Sequence, residues 1–220
     1  MEYRGCREIN KKGWPQLEIV RDCDISQRAL KYIEDLIMSK KGVFKLALSG
    51  GRSPKPLLQA LRVSNVIDWS KVEIFMVDDR VVPPAHPKSN YLFLDQNLIR
   101  HIDCKIYHGI DSLEDYSKLL EEPLDLIILG LGEDGHTASI FPDADYEVYS
   151  MNRKALKTYC PRHPYERISM SLDVINTAKD VFFFVTGSSK LDIIKSLLNK
   201  EGDFPAEKVK ATALFTDLEF

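Results

Sequence analysis

Leu124-Asp125-Leu126-Ile127-Ile128-Leu129 runs directly into Gly130-Leu131-Gly132-Glu133-Asp134-Gly135-His136-Thr137-Ala138-Ser139-Ile140-Phe141-Pro142, so an apolar stretch empties into a polar, glycine-rich loop. The run is too short for a buried helix and suits a strand covered on both faces, as in the middle of a parallel sheet. The same signature recurs outward in both directions. Val43 to Leu48 leads into the tight loop Ser49 to Pro54, Val72 to Val77 into Asp78 to Lys88, and Phe182 to Val185 into Thr186-Gly187-Ser188-Ser189-Lys190. Leu17 to Val20 reads as a first strand and Ala213 to Phe215 as a last one.

Segments of helical period fill the intervals. Ser26 is placed to cap a helix that puts Leu30, Ile33, Leu36 and Ile37 on one side and ends at Gly42, and Pro56 to Leu61 opens another. Ser89 can cap a third through about His101, and Ser188 to Leu198 forms a fourth. This alternation predicts an α/β fold: a doubly wound, mostly parallel, Rossmann-like sheet with helices on both faces, in one domain over residues 1–220. There is no internal repeat. In such sheets ligands bind beyond the carboxyl ends of the strands, which directs attention to the loops.

The whole chain narrows the classes of partner. With 30 basic and 33 acidic side chains, the net charge of -3 gives no broad attraction for nucleic acid or an anionic membrane. An anion site must therefore be local. Cys6, Cys23, Cys104 and Cys160 form no Cys-x-x-Cys pair, so neither a zinc knuckle nor a redox dithiol is spelled out. Residues 1–16 lack an apolar secretory core and no later run approaches membrane-spanning length, so a cytoplasmic protein is expected.

Three loops carry residues that a mere connection would not require. In Ser49-Gly50-Gly51-Arg52-Ser53-Pro54, the glycines let backbone N-H groups approach a ligand, and the following helix N-terminus favours a phosphate. Ser49 and Ser53 add hydroxyl donors, although an ordinary strand-to-helix turn would look the same. No Gly-Lys-Ser/Thr follows, so it is not a Walker loop, and Ala47 excludes a nucleophile elbow at Ser49. Asp78-Asp79-Arg80 reads either as carboxylates and a cation that position sugar hydroxyls or a leaving group, or as a solvated surface turn.

The loop from Gly130 formally matches the dinucleotide pattern Gly-x-Gly-x-x-Gly. Asp134 would place a carboxylate beside the pyrophosphate and Pro142 interrupts the required helix, so that reading is rejected. What the loop offers is His136, suited to general-base work at neutral pH, with Asp134 two residues before it to orient the ring. A polar turn with a solvent-facing histidine is the alternative. His86, His101, His108 and His163 lack comparable settings, and no metal-ligand spacing joins any of the five. Arg167 and Lys190, each near a strand end, can chelate an anion or lie on the surface as ordinary charges.

Taken in order from about Val43 to Lys190, these segments resemble the 6-phosphogluconolactonase family, within the group that also holds glucosamine-6-phosphate deaminases. The most specific part is Asp134 to Pro142, with isoleucine at 140 where leucine is commoner. The Ser-Gly-Gly loop, Arg80-x-Val-Pro83 with Ser89-Asn90, Arg167 and Gly187-x-x-Lys190 follow in the family's order. The chain departs at Asp79, where the family usually has glutamate.

The resemblance implies hydrolysis of 6-phospho-D-glucono-1,5-lactone in the oxidative pentose phosphate pathway, with no cofactor and no metal. It assigns His136 as the base, Asp134 as its partner, and Ser49, Gly50, Gly51, Ser53, Arg80, Arg167 and Lys190 to substrate and phosphate. Two rivals are a deaminase/isomerase acting on glucosamine 6-phosphate and a non-catalytic sugar-phosphate sensor. The first carries Asn-Glu-Pro after its Asp-Gly-His, where this chain has Ile140-Phe141-Pro142 and no acid. Binding alone would not require the second to keep a base.

Overall fold

The structure, a computed structural model, describes residues 17–144 and 153–220 and the backbone of residues 6–9. Strands β1 (Cys6–Ile9) and β2 (Glu18–Arg21) precede helix α1 (Ile25–Ser39). There follow β3 (Phe44–Leu48), α2 (Lys55–Arg62), β4 (Val72–Met76), β5 (Asp78–Arg80), α3 (Asn90–Asn97), β6 (Ile106–His108), α4 (Leu113–Leu119) and β7 (Leu126–Leu129). The chain continues through β8 (Ala155–Cys160), β9 (His163–Met170), α5 (Leu172–Thr177), β10 (Asp180–Val185), α6 (Leu191–Asn199) and β11 (Ala213–Thr216).

Eight strands form one sheet in the order β1-β2-β11-β10-β7-β3-β4-β6. Only the β1-β2 pairing at one edge is antiparallel. The expected doubly wound α/β sheet is therefore present. Period-two alternation sends Phe183 and Val185 of β10, with Ile127 and Leu129 of β7, into one apolar cluster beside Tyr116, Ile175 and Ile194 of the helices. Phe182 and Phe184, with Leu126 and Ile128, join the opposite cluster beside Ile33, Leu57 and Leu94. Phe182, Phe183 and Phe184 are each fully buried, which is why a run of three phenylalanines belongs in a central strand. Among the described residues no helix is long and apolar enough to cross a membrane.

Four local expectations are corrected. Asp24 caps α1 instead of Ser26, because its carboxylate accepts from the Gln27 N-H. The helix stops at Ser39, and Gly42 serves the next turn with φ +97°. The expected helix from Ser188 starts as a 3-10 turn over Ser188–Lys190, with α6 proper beginning at Leu191. Finally, Asp78-Asp79-Arg80 is strand instead of loop: β5 pairs antiparallel with β9, which pairs with β8, in a second sheet of three strands. Both strand β6 and helix α4 lie in a stretch whose sequence had suggested neither.

Candidate active site

The carboxyl ends of β3, β7 and β10 and the small sheet enclose a cleft of about 450 Å³. Ser49, Gly50, Gly51, Ser53, Arg80, His136, Arg167 and Lys190 all line it, so eight of the nine residues singled out in the sequence meet there. The ninth, Asp134, lies behind His136.

The first wall is the loop after β3. Its entry is fixed by the Ser49 N-H, which donates to the Ile128 carbonyl at 3.2 Å. Gly51 takes φ +103°, and a methyl group on Gly50 would sit 2.2 Å from the Asn90 amide oxygen, so neither position tolerates a side chain. Pro54 and Pro56 carry no N-H, and the Lys55 N-H is spent on the Arg52 carbonyl, so the backbone donors left at this turn are those of residues 50–53. Among the described residues those four N-H groups find no protein acceptor. Ser49 Oγ is buried and likewise unpaired.

The second wall is β5 and β9, where Arg80 and Arg167 are direct cross-strand partners. Arg167 is only 6% exposed, with Nη1 at 3.4 Å from Ser139 Oγ and 3.9 Å from Asp78 Oδ2, and its guanidinium lies over the Phe141 ring. Its Nε finds no hydrogen-bond partner among the described residues. Burial and the neighbouring Arg80 depress its pKa, against the pull of Asp78. Arg80 hydrogen-bonds through Nη1 to the Asn90 side-chain oxygen, and Asn90 in turn donates to the Asp78 carbonyl at 2.9 Å.

Neither sequence reading of Asp79 survives. Its buried carboxylate accepts from the backbone N-H groups of Arg80 (2.7 Å), Asn90 (2.6 Å) and Tyr91 (3.0 Å) and from Ser89 Oγ (2.9 Å). It backs up Ser89, the N-cap of α3 as expected, by accepting from the helix's first two N-H groups, and it does not line the cleft. Asp78 does line the cleft, with its carboxylate taking the Ser139 hydroxyl.

The third wall is the loop after β7. Gly135 takes φ +80°, and its N-H donates to the Gly132 carbonyl at 3.0 Å. A Cβ on Gly132 would lie 2.1 Å from His136 Nδ1 and 2.6 Å from Asp134 Oδ1. The middle glycine of the apparent dinucleotide pattern thus makes room for an aspartate and a histidine to fold over it. Asp134 Oδ1 accepts from His136 Nδ1 at 2.5 Å and from the His136 backbone N-H at 3.2 Å. Burial pushes the Asp134 pKa up, but the hydrogen bond and charge of His136 outweigh it and hold the carboxyl well below its usual range. With Nδ1 engaged, Nε2 is the nitrogen left to act from a ring that lines the cleft. The Phe141 ring packs against the imidazole at 4.7 Å. Ala138 adopts φ +52° at the cleft wall, a strained geometry for a residue with a Cβ.

Lys190 closes the fourth side, 3.9 Å from Glu133, with its pKa lowered by burial against the opposing carboxylates of Glu133 and Asp134. Arg52 also lines the cleft, although only its loop and not its charge had been singled out. A further sequence reading is overturned: His163 does not lack a comparable setting. Its ring lies 5.5 Å from that of His136, and its Nε2 is 3.9 Å from Asp134 Oδ2. Position 163 opens β9, and only the hairpin with β8 brings it to the loop, so no spacing rule could have revealed it.

Comparison with known proteins gives a consistent picture. Residues 23–217 match the family described as glucosamine-6-phosphate isomerases/6-phosphogluconolactonase. A 6-phosphogluconolactonase of Pseudomonas aeruginosa is 31% identical over 182 residues, 76% of either chain. One from Haemophilus influenzae is 34% identical over 186 residues, 76% of this chain and 79% of that one. The crystal structure of the Thermotoga maritima 6-phosphogluconolactonase superimposes with a TM-score of 0.77 at 25% identity, covering 90% of this chain and 97% of that one. By sequence and by fold, the chain belongs to the glucosamine-6-phosphate isomerase/6-phosphogluconolactonase family.

Proposed function

We propose that the protein is a 6-phosphogluconolactonase that hydrolyses 6-phospho-D-glucono-1,5-lactone to 6-phospho-D-gluconate without a metal. The observation that carries this reading is the hydrogen-bonded Asp134-His136 pair on one wall of a cleft whose other walls hold unsatisfied anion donors. Lactone opening needs one base, fixed geometry and donors for a developing oxyanion, because the ester is already activated.

The phosphate dianion lies against the N-H groups of residues 50–53, Ser49 Oγ, Arg167 and Lys190, with Arg80 and Ser53 completing the grip. Binding there supplies partners to Ser49 Oγ and Arg167 Nε, which are buried without any. Asp134 holds Nδ1-H, so His136 Nε2 takes a proton from water as the oxygen adds to C1. The tetrahedral intermediate collapses with loss of the ring oxygen, which receives from the imidazolium the proton taken from water, and the product ionises as a carboxylate. The phosphate, far from C1, spends its binding energy on orientation.

A deaminase reading finds no acid where it would need one. Ile140 and Phe141 are fully buried, and Phe141 is committed to packing His136 and Arg167. Lactone generated fresh in a coupled assay is expected to disappear faster with protein, and His136→Ala to lose about 10²- to 10⁴-fold in turnover. Unchanged turnover in that variant overturns the assignment. No ammonia is expected from glucosamine 6-phosphate.

A further inference from the structure

The hairpin between β8 and β9 brings a third candidate ligand to the Asp134-His136 pair. Asp134, His136 and His163 each offer a ligating atom, and the three atoms lie within 4.8 Å of one another. A second observation points the same way: among the described residues Asp134 Oδ2 is buried and finds no hydrogen-bond donor. It faces His163 Nε2 across 3.9 Å. A tetrahedral zinc ion bonded to both atoms at ordinary lengths would hold them about 3.3 Å apart. Closing that difference takes a small rotation of His163, whose ring rests on Phe141 at 5.1 Å and whose edge is open to solvent.

We propose that Asp134, His136 and His163 capture a divalent transition metal of the zinc type, and that occupancy switches the base off. Two imidazoles and one carboxylate are the donor set that zinc accepts while keeping a coordination position open. A neutral imidazole has a single in-plane lone pair. A metal on either ring nitrogen of His136 consumes it and leaves the other nitrogen protonated, so nothing remains to take a proton from water. Arg162 competes for the same oxygen, with Nη2 3.5 Å from Asp134 Oδ2, yet it is exposed and already bonded to Asp143 at 2.6 Å. It can retreat toward Asp143 as the metal enters. The inhibitory half of this proposal rests on His136 being the base; the binding half does not.

The test is calorimetric titration of the full chain with zinc, in phosphate-free buffer and without substrate, beside lactone turnover over the same zinc range. About one zinc per chain is expected, with turnover falling as the site fills. His163→Ala should keep its zinc-free turnover and lose at least about tenfold in zinc affinity. Arg162→Gln, which removes the competing cation, should bind zinc more tightly. Cobalt(II) in the parent should give the visible absorption of a tetrahedral site, which provides a readout should His163→Ala fold poorly. Equal zinc affinity in parent and His163→Ala, or no binding up to about 1 mM, a very weak affinity, overturns the site. Zinc binding with turnover unaffected overturns the inhibitory role alone, and absent turnover without zinc would instead indict the lactonase reading.

Discussion

At the scale of single residues, the site depends on one carboxylate holding one ring. Asp134→Asn keeps the shape but offers an amide whose N-H can meet Nδ1, favouring the wrong tautomer; kcat should fall by about 10²- to 10⁴-fold with the circular dichroism unchanged. The same variant carries a pH signature. A carboxyl whose folded pKa is depressed contributes stability above its unfolded pKa of about 3.9, and loses it as pH falls toward the folded value. Urea titrations should therefore show the parent more stable than Asp134→Asn between about pH 5 and 7, with the gap shrinking in stronger acid. Lys190→Ala should raise KM more than it lowers kcat, because the ammonium acts on the distant phosphate; equal substrate affinity in the two proteins would contradict its role.

At the scale of elements, glycine placement and capping decide whether those residues meet. Gly132→Ala drives a methyl group into the imidazole and the carboxylate, so turnover should collapse while phosphate affinity, measured by calorimetry, stays near that of the parent. Asp79→Ala strips four donors of their acceptor, two of them at the first turn of α3, which should cost about 2 to 3 kcal/mol in urea unfolding.

Elements were legible in the sequence where burial is uniform and opaque where it is not. The phenylalanine run of β10 and the apolar run of β7 are covered on both faces, so composition alone betrays them. By contrast, β5 is made of an arginine and two aspartates, a residue type that disfavours strands, and pairing with β9 makes it one. Ile106 in β6 is 41% exposed at a sheet edge, which leaves no apolar run to detect. The anion loop and the Asp134-His136 pair were visible because their parts are adjacent in the chain. His163 was not, because its neighbourhood is created by a hairpin.

At the scale of the molecule, two apolar clusters sandwich the large sheet, and the cleft opens at its carboxyl edge. Phe183→Ala would remove a fully buried ring at a cost of about 3 to 5 kcal/mol, a large share of the 5 to 15 kcal/mol typical of a domain, so a marked drop in the urea midpoint is expected. Inorganic phosphate at about a hundred times its dissociation constant should stabilise by about 2.7 kcal/mol, raising Tm by roughly 5 to 10 °C. Arg167→Gln should abolish most of that rise, and a full rise in this variant would remove the arginine from the phosphate grip.

The facing of Arg80 with Arg167 across β5 and β9 has an architectural corollary. Side chains alternate faces along a strand, so sliding β9 by a single residue would aim Ile168 or Glu166 at the cleft and swing the guanidinium to the far side. Backbone pairing could survive such a slide almost intact, whereas ligand capture would not. The small sheet is therefore a vernier for the large one: its alignment, more than its strength, is what selection has to guard.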